Sequence, residues 1–186
     1  SRNNATRRVA EKLETIALVG DSKIKVGGNQ LYGITNHPKR ATRTTGQTLN
    51  GATGAQWLAD VTALVKLLHA KNFYVSPTLY LNYNDWFYAT STDFSTQYPN
   101  KTILQRLMEI GIQAVVPSSS VVAGDMIAVV KSKEVVQVLS AMPPSTIAKF
   151  RANPMDDYQF TRMAAAAIEI RFDADDNCGI AHSSLA

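Results

Sequence analysis

Apolar positions along this chain follow a helical rhythm in its earlier part and an alternating one towards its end. Val9, Leu13, Ile16 and Ala17 recur at three- and four-residue spacing, which predicts an amphipathic helix from about Thr6 to Val19. Arg7 and Glu11 stand four apart and can pair on its polar side. Gly20 is placed to end it in a left-handed conformation. Alternation around Gly27-Gly28, from Ile24 to Ile34, predicts a short hairpin. The polar stretch 36–54 reads as a long loop. Trp57, Val61, Leu64 and Leu68, widened by Leu58, Val65 and Leu67, predict a largely buried helix from about Gly54 to Ala70. Asn50 or Thr53 is its candidate cap, and His69 and Lys71 suit the negative end of its dipole.

Phe73-Tyr74-Val75 reads as a strand broken at Ser76-Pro77, because a residue before proline avoids helical angles. A short aromatic element around Asp85–Tyr88 and a polar loop over 90–100 follow. Asn100 is the expected cap of a third helix, Lys101–Ile110, stopped by Gly111. The remainder reads as strands: Ile112–Val116, Met126–Lys131 and Glu134–Leu139, separated by Pro117, Gly124-Asp125 and Lys133. Pro143-Pro144 is expected to open an irregular link. Ile168, Ile170 and Phe172 alternate with Glu169, Arg171 and Asp173 as in a half-exposed antiparallel strand. Three helices followed by strands point to an α+β fold rather than a doubly wound sheet.

Composition narrows the functional classes. At 186 residues with 45% hydrophobic content, the chain can bury a core without staples. Its net charge of +4 is a mild excess, scattered apart from Arg7-Arg8 and the stretch 39–43, and does not indicate a dedicated DNA-recognition module. One cysteine excludes an intrachain disulfide framework. No apolar run approaches the roughly 20 residues that span a bilayer.

Several segments carry residues of candidate chemistry. Gly20-Asp21-Ser22 has the look of a serine-hydrolase block, but its base would be His182, and position 179 is Gly179 where an orienting Asp is needed. A helix cap and turn is the simpler reading. Asp173, Asp175 and Asn177 begin like a calcium loop, yet Cys178 stands at the glycine position and Ser184 at the bidentate Glu position. An acidic turn is expected instead. His37, His69 and His182 lack zinc spacing. Cys178 shows no sign of activation. Tyr80, Tyr83, Trp86, Phe87 and Tyr88 can stack on bases, or serve as core or a subunit contact. No catalytic, cofactor or metal constellation results, so an enzyme is not expected.

The order of segments resembles that of Hong Kong 97-type tailed-phage capsid proteins and encapsulins. The run Ala5-Thr6-Arg7-Arg8-Val9-Ala10-Glu11-Lys12-Leu13-Glu14, ending at Val19-Gly20-Asp21, is similar to their long spine helix. Gly28-Asn29-Gln30-Leu31-Tyr32-Gly33-Ile34-Thr35-Asn36 resembles the segment after it. Trp57 to His69, then Tyr74-Val75-Ser76-Pro77-Thr78-Leu79-Tyr80, resembles the next helix and strand. Ile103 to Leu139, with Gly124-Asp125-Met126-Ile127-Ala128-Val129-Val130, is similar to the axial domain. Ile168-Glu169-Ile170-Arg171-Phe172 with Gly179-Ile180 resembles the returning strand.

The resemblance implies a peripheral domain over 1–100 with the spine helix, an axial domain over 101–150, and a return strand within 151–186. It implies a non-enzymatic major capsid subunit that self-assembles as hexamers and pentamers into an icosahedral head enclosing DNA. An encapsulin-like nanocompartment shell is the alternative, and a small hydrolase using Ser22 the distant third. Scaffolding protein, portal and packaged DNA are the implied partners, with no membrane, cofactor or small-molecule substrate. The implied location is the virion, assembled in the bacterial host cytoplasm. An N-terminal arm and extended hairpin loop precede the family's spine helix and are expected to be missing here. Met163-Ala164-Ala165-Ala166-Ala167 stands where the family's glycine-rich turn is expected.

Overall fold

The computed structural model describes residues 2–151, 153, 155 and 159–185. Its elements, in chain order, are α1 (Arg2–Val19), β1 (Gly20–Val26), β2 (Asn29–Tyr32), β3 (Ala41–Thr45), α2 (Gly54–His69), β4 (Thr78–Leu81) and α3 (Tyr83–Ser91). Then follow β5 (Asp93–Ser95), β6 (Tyr98–Thr102), α4 (Ile103–Glu109), β7 (Ala114–Pro117), β8 (Met126–Val129), β9 (Val136–Ala148), β10 (Phe160–Ile170) and β11 (Ile180–Leu185). The fold is mixed α+β, as expected.

The centre is a five-stranded sheet in the order β3-β11-β8-β4-β7. β8 runs antiparallel to both neighbours, whereas β3 lies parallel to β11 and β7 parallel to β4. Strand alternation sends side chains to two apolar layers. Met126, Ala128, Leu79, Leu81 and Ala181 join Trp57, Val61, Leu64 and Leu68 of α2 on one face. Ile127, Val129 and Ile180 join Leu18, Ile34, Val121, Ile168 and Cys178 on the other. The larger cluster draws on residues from Leu49 to Ala181.

Two extensions leave this body. One is α1, whose N-terminal turns are largely exposed and whose last turn, at Leu18, is buried. Arg7 and Glu11 pair on it at 3.4 Å as expected. The other is the antiparallel ribbon of β9 and β10, which lies against α1. Gly20 has φ +79°, the predicted left-handed stop. Gly27 and Gly28 both have positive φ at the tip of the β1–β2 hairpin.

Several expectations are corrected. Phe73–Val75 is not a strand: Asn72 turns the chain at φ 63°, Tyr74 and Val75 are exposed, and pairing starts only after Pro77. The loops over 36–54 and 90–100 contain β3 and the β5–β6 hairpin. Their inward positions include Ala41, Arg43 and Thr45, so hydrophobicity does not betray the strand. The fourth helix is capped by Thr102 rather than Asn100, in a reciprocal box with Gln105. Thr53, not Asn50, caps α2 in the same way. Pro117 lies inside β7. Pro143 and Pro144 lie inside β9, where the register jumps from Ser145↔Met163 to Met142↔Ala165. Proline has no ladder donor to offer, and an unpaired bulge position needs none. Strand β10 begins well before Ile168 and takes in Ala164–Ala167, while Phe172 lies beyond its end.

Candidate functional site

The groups singled out for chemistry do not converge. Ser22 sits on exposed β1 beside a recess of about 300 Å³ lined by Lys12, Val19, Gly20, Asp21, Lys23 and Asn36, none of which is a base for it. His182 is buried on β11, with Nε2 2.9 Å from Asp125 Oδ2 and Nδ1 accepting from Arg40 Nε at 3.2 Å. The aspartate missing at position 179 is thus supplied by Asp125, across the β8–β11 pairing. A neutral ring that accepts at Nδ1 donates at Nε2, and both nitrogens are then occupied. Ser22→Ala is expected to leave ester hydrolysis at the buffer background, measured with an activated ester beside the unaltered chain.

The acidic turn is closed on itself. Asp173 Oδ1 accepts the backbone N–H groups of Asp175 and Asn177 at 2.9 and 2.8 Å. The Asn177 N–H is the leading reason that the carboxyl lies below its ordinary range. Among the described residues no group of three or more His, Cys, Asp or Glu is arranged to hold a metal. His37 packs between Tyr32 and Phe172, and His69 against Tyr74. Burial pushes the Cys178 thiol up, the opposite of activation. The aromatics divide between core and surface, although Phe87 lies edge-on to Trp86 at 5.2 Å. Tyr88 OH donates to the Ala52 carbonyl, Trp86 packs on the larger core, Tyr80 lies under the Lys131 ammonium, and Tyr83 and Phe87 are exposed.

Polar side chains instead hold the body together. Arg43 on β3 reaches Asp60 of α2 at 3.1 Å and Ser183 Oγ of β11 at 3.3 Å, and Gln47 completes Asp60 at 3.0 Å. A parallel edge strand is thereby tied to both the sheet and the helix over it. Asp85, almost fully buried, accepts the Gly124 N–H at 2.8 Å. Burial is the main reason its carboxyl is raised, with the charge of Asp125 adding to it. The native state therefore holds this proton more tightly than the unfolded chain. Its contribution to stability is greatest below the ordinary value of 3.8 and is lost as pH rises through the raised one. Asp85→Asn is expected to flatten that decline in melting temperature across an acid-to-neutral series. An unchanged pH profile would refute the assignment.

What remains is surface. Exposed apolar side chains concentrate on the ribbon and its end: Val138, Leu139, Ile147, Phe150, Phe160 and Met163. Between α1 and the base of the ribbon runs a groove of about 560 Å³, lined by Ala17, Leu18, Tyr80, Val136, Val138 and Ile168 among others. The predicted strands Glu134–Leu139 and Ile168–Phe172 correspond to the base of the ribbon; its outer part is not legible in the sequence because it carries proline, serine and an alanine run in place of a strict apolar alternation.

Comparison with known proteins bears on the fold. The capsid of Myoviridae Phage XM1 superposes with a TM-score of 0.75 at 12% identity, covering 100% of this chain and 64% of that one. The virus-like particle from Pyrococcus furiosus superposes with a TM-score of 0.66 at 12% identity, over 94% of this chain and 63% of that one. This chain thus spans less than two-thirds of either shell protein's length. No curated protein matches it in sequence. No helix among the described residues is long and apolar enough to cross a membrane. A family model matches residues 1–183, and the chain belongs to that family, a family of unknown function (DUF6260).

Proposed function

We propose that the chain is a structural shell subunit, the major capsid protein of a tailed-phage-type head. One observation carries this reading: the whole chain follows the fold of a phage capsid subunit at a TM-score of 0.75. The two extensions support it. An isolated two-stranded ribbon is marginal in water, and long apolar side chains left exposed along it are a liability for a monomer. Burial against neighbouring subunits removes both costs. In this reading the layout is of the Hong Kong 97 type, with α1 and the ribbon in a peripheral part and the loop over 117–125 at the tip of an axial part. Head-to-tail contacts close hexamers and pentamers. Scaffolding protein, portal and packaged DNA are then the further partners, and the virion the location.

An encapsulin-like compartment shell is the second reading, favoured by the likeness to the Pyrococcus furiosus particle. Negative-stain electron microscopy of the product of the complete reading frame tests both. Uniform closed particles or rings are expected, and their diameter separates a compact compartment from a larger head. Only dispersed subunits, with and without co-expressed neighbouring open reading frames, would sink the shell reading.

A further inference from the structure

Cations on the exposed side of α1 and β1 form a strip that the rest of the molecule does not neutralise. Arg8 and Lys12 stand four residues apart, on one side of α1 and about 6 Å along its axis. The strip continues through Asp21 of β1, which takes the Lys12 ammonium at 3.3 Å and the Lys23 backbone N–H at 3.0 Å. Lys12 and Lys23 line the same recess. Lys25 follows two residues on, and it is exposed like Lys23.

The backbone presents these side chains outward. β1 pairs with β2 at Asp21↔Leu31 and again at Lys25↔Gln30, so Ser22, Lys23 and Ile24 bulge from the ladder with no partner opposite. Such bulges re-aim side chains. Among the described residues Arg8, Lys23 and Lys25 form no ion pair closer than 4 Å. Among the described residues Lys12 is the one of these four exposed cations that an ion pair engages, with Asp21. The other acids of α1 are engaged elsewhere: Glu11 with Arg7, and Glu14 with the Ser118 hydroxyl at 2.6 Å.

We propose that Arg8, Lys12, Lys23 and Lys25 form a docking strip for the phosphate backbone of duplex DNA. This rests on the shell reading and sharpens it, because it favours a DNA-filled head over a compartment for protein cargo. The chemistry favours phosphate over an acidic protein partner. The strip holds no aromatic anchor of the kind that dominates protein interfaces, and its exposed large apolar side chains are the aliphatic Val19 and Ile24. Its neutral members, Ser22 and Asn36, are the hydroxyl and amide types that accompany Arg and Lys on phosphate oxygens. Lacking a helix suited to a groove or a stacking surface, it positions DNA without reading sequence.

The test is fluorescence anisotropy of a short mixed-sequence duplex against the full chain over a salt series. The triple variant Arg8→Gln, Lys23→Gln, Lys25→Gln is compared with a control triple, Lys66→Gln, Lys71→Gln, Lys133→Gln, which removes the same charge from exposed positions elsewhere. Lys12 is retained because it pairs with Asp21. The strip triple is expected to bind at least roughly tenfold more weakly at low salt and to lose about 2.7 from the log–log salt slope, near 0.9 per neutralised contact. The control triple is expected to keep the original slope. Equal losses in both triples, no binding by the unaltered chain, or equal displacement of the duplex by polyglutamate would each overturn the strip. Particle formation is scored on the same samples. Closed shells whose DNA binding ignores the strip overturn this inference alone, and dispersed subunits with strip-dependent binding overturn the shell reading alone.

Discussion

Trp57→Ala is expected to destabilise the body by about 3–5 kcal/mol, the range for emptying a large aromatic site in a packed core. Trp57 is fully buried in α2, and its indole N–H donates to the Leu49 carbonyl at 3.1 Å. Alanine removes the ring from a layer shared with Val61, Leu64, Leu79 and Leu81, and it takes one of two hydrogen bonds from the Leu49 carbonyl, which also accepts the Ala52 N–H at 3.2 Å. Domains of this kind are stable by only about 5–15 kcal/mol, so one such loss is a large share of the total. Urea unfolding followed by fluorescence of the second tryptophan, Trp86, reads the effect. A midpoint within error of the unaltered chain would show that the α2 layer is not the core described above.

Gly20→Ala is expected to act on a different part of the molecule. Gly20 has φ +79°, and an added Cβ would lie 2.2 Å from the Leu31 carbonyl oxygen and 2.7 Å from the Gly33 nitrogen. The left-handed conformation alone costs alanine about 1–2 kcal/mol, and the clash with backbone adds to it. This junction is where α1 is fastened. Ile34 N–H bonds the Ala17 carbonyl at 3.1 Å, Thr35 N–H that of Leu18 at 2.8 Å, and Asn36 Nδ2 that of Val19 at 2.7 Å. Gly33 shares the close approach, since its own Cβ would meet Leu18 backbone at 2.5 Å. The α2 core does not include these residues. Hydrogen exchange is therefore expected to accelerate at residues 31–36 while α2 stays protected. In the shell reading, particles are lost although the body still folds. Unchanged exchange at 31–36 would show that the junction tolerates a methyl group and is not the fastening point. The two substitutions together separate folding of the body from orientation of α1.

Other features bear on the division between local and distant causes. α2 was legible because one strong apolar stripe and a Thr53–Gln56 box act within a few residues of one another. Gly20 was legible because a helix stop needs a residue free of the left-handed penalty. The α+β class and the β1–β2 hairpin rest on equally local patterns. The closed polar turn at 173–177 also rests on short-range chemistry, since Asp173 accepts the Asn177 N–H within its own loop. Four things waited for the tertiary structure. β3 becomes a strand only because β11, over a hundred residues later, offers it a parallel edge. Pro143 and Pro144 are tolerated because the β9–β10 register slips opposite them. His182 gains Asp125 and Arg40 from separate loops and strands, so its partners have no sequence spacing. The basic strip arises where a helix and a bulged hairpin meet at Asp21. The amino-acid sequence by itself determines what acts within one or two turns: caps, stripes, stops and closed polar turns. Pairings across the sheet and the surfaces left uncovered depend on which distant segments become neighbours, and only the packed molecule decides that.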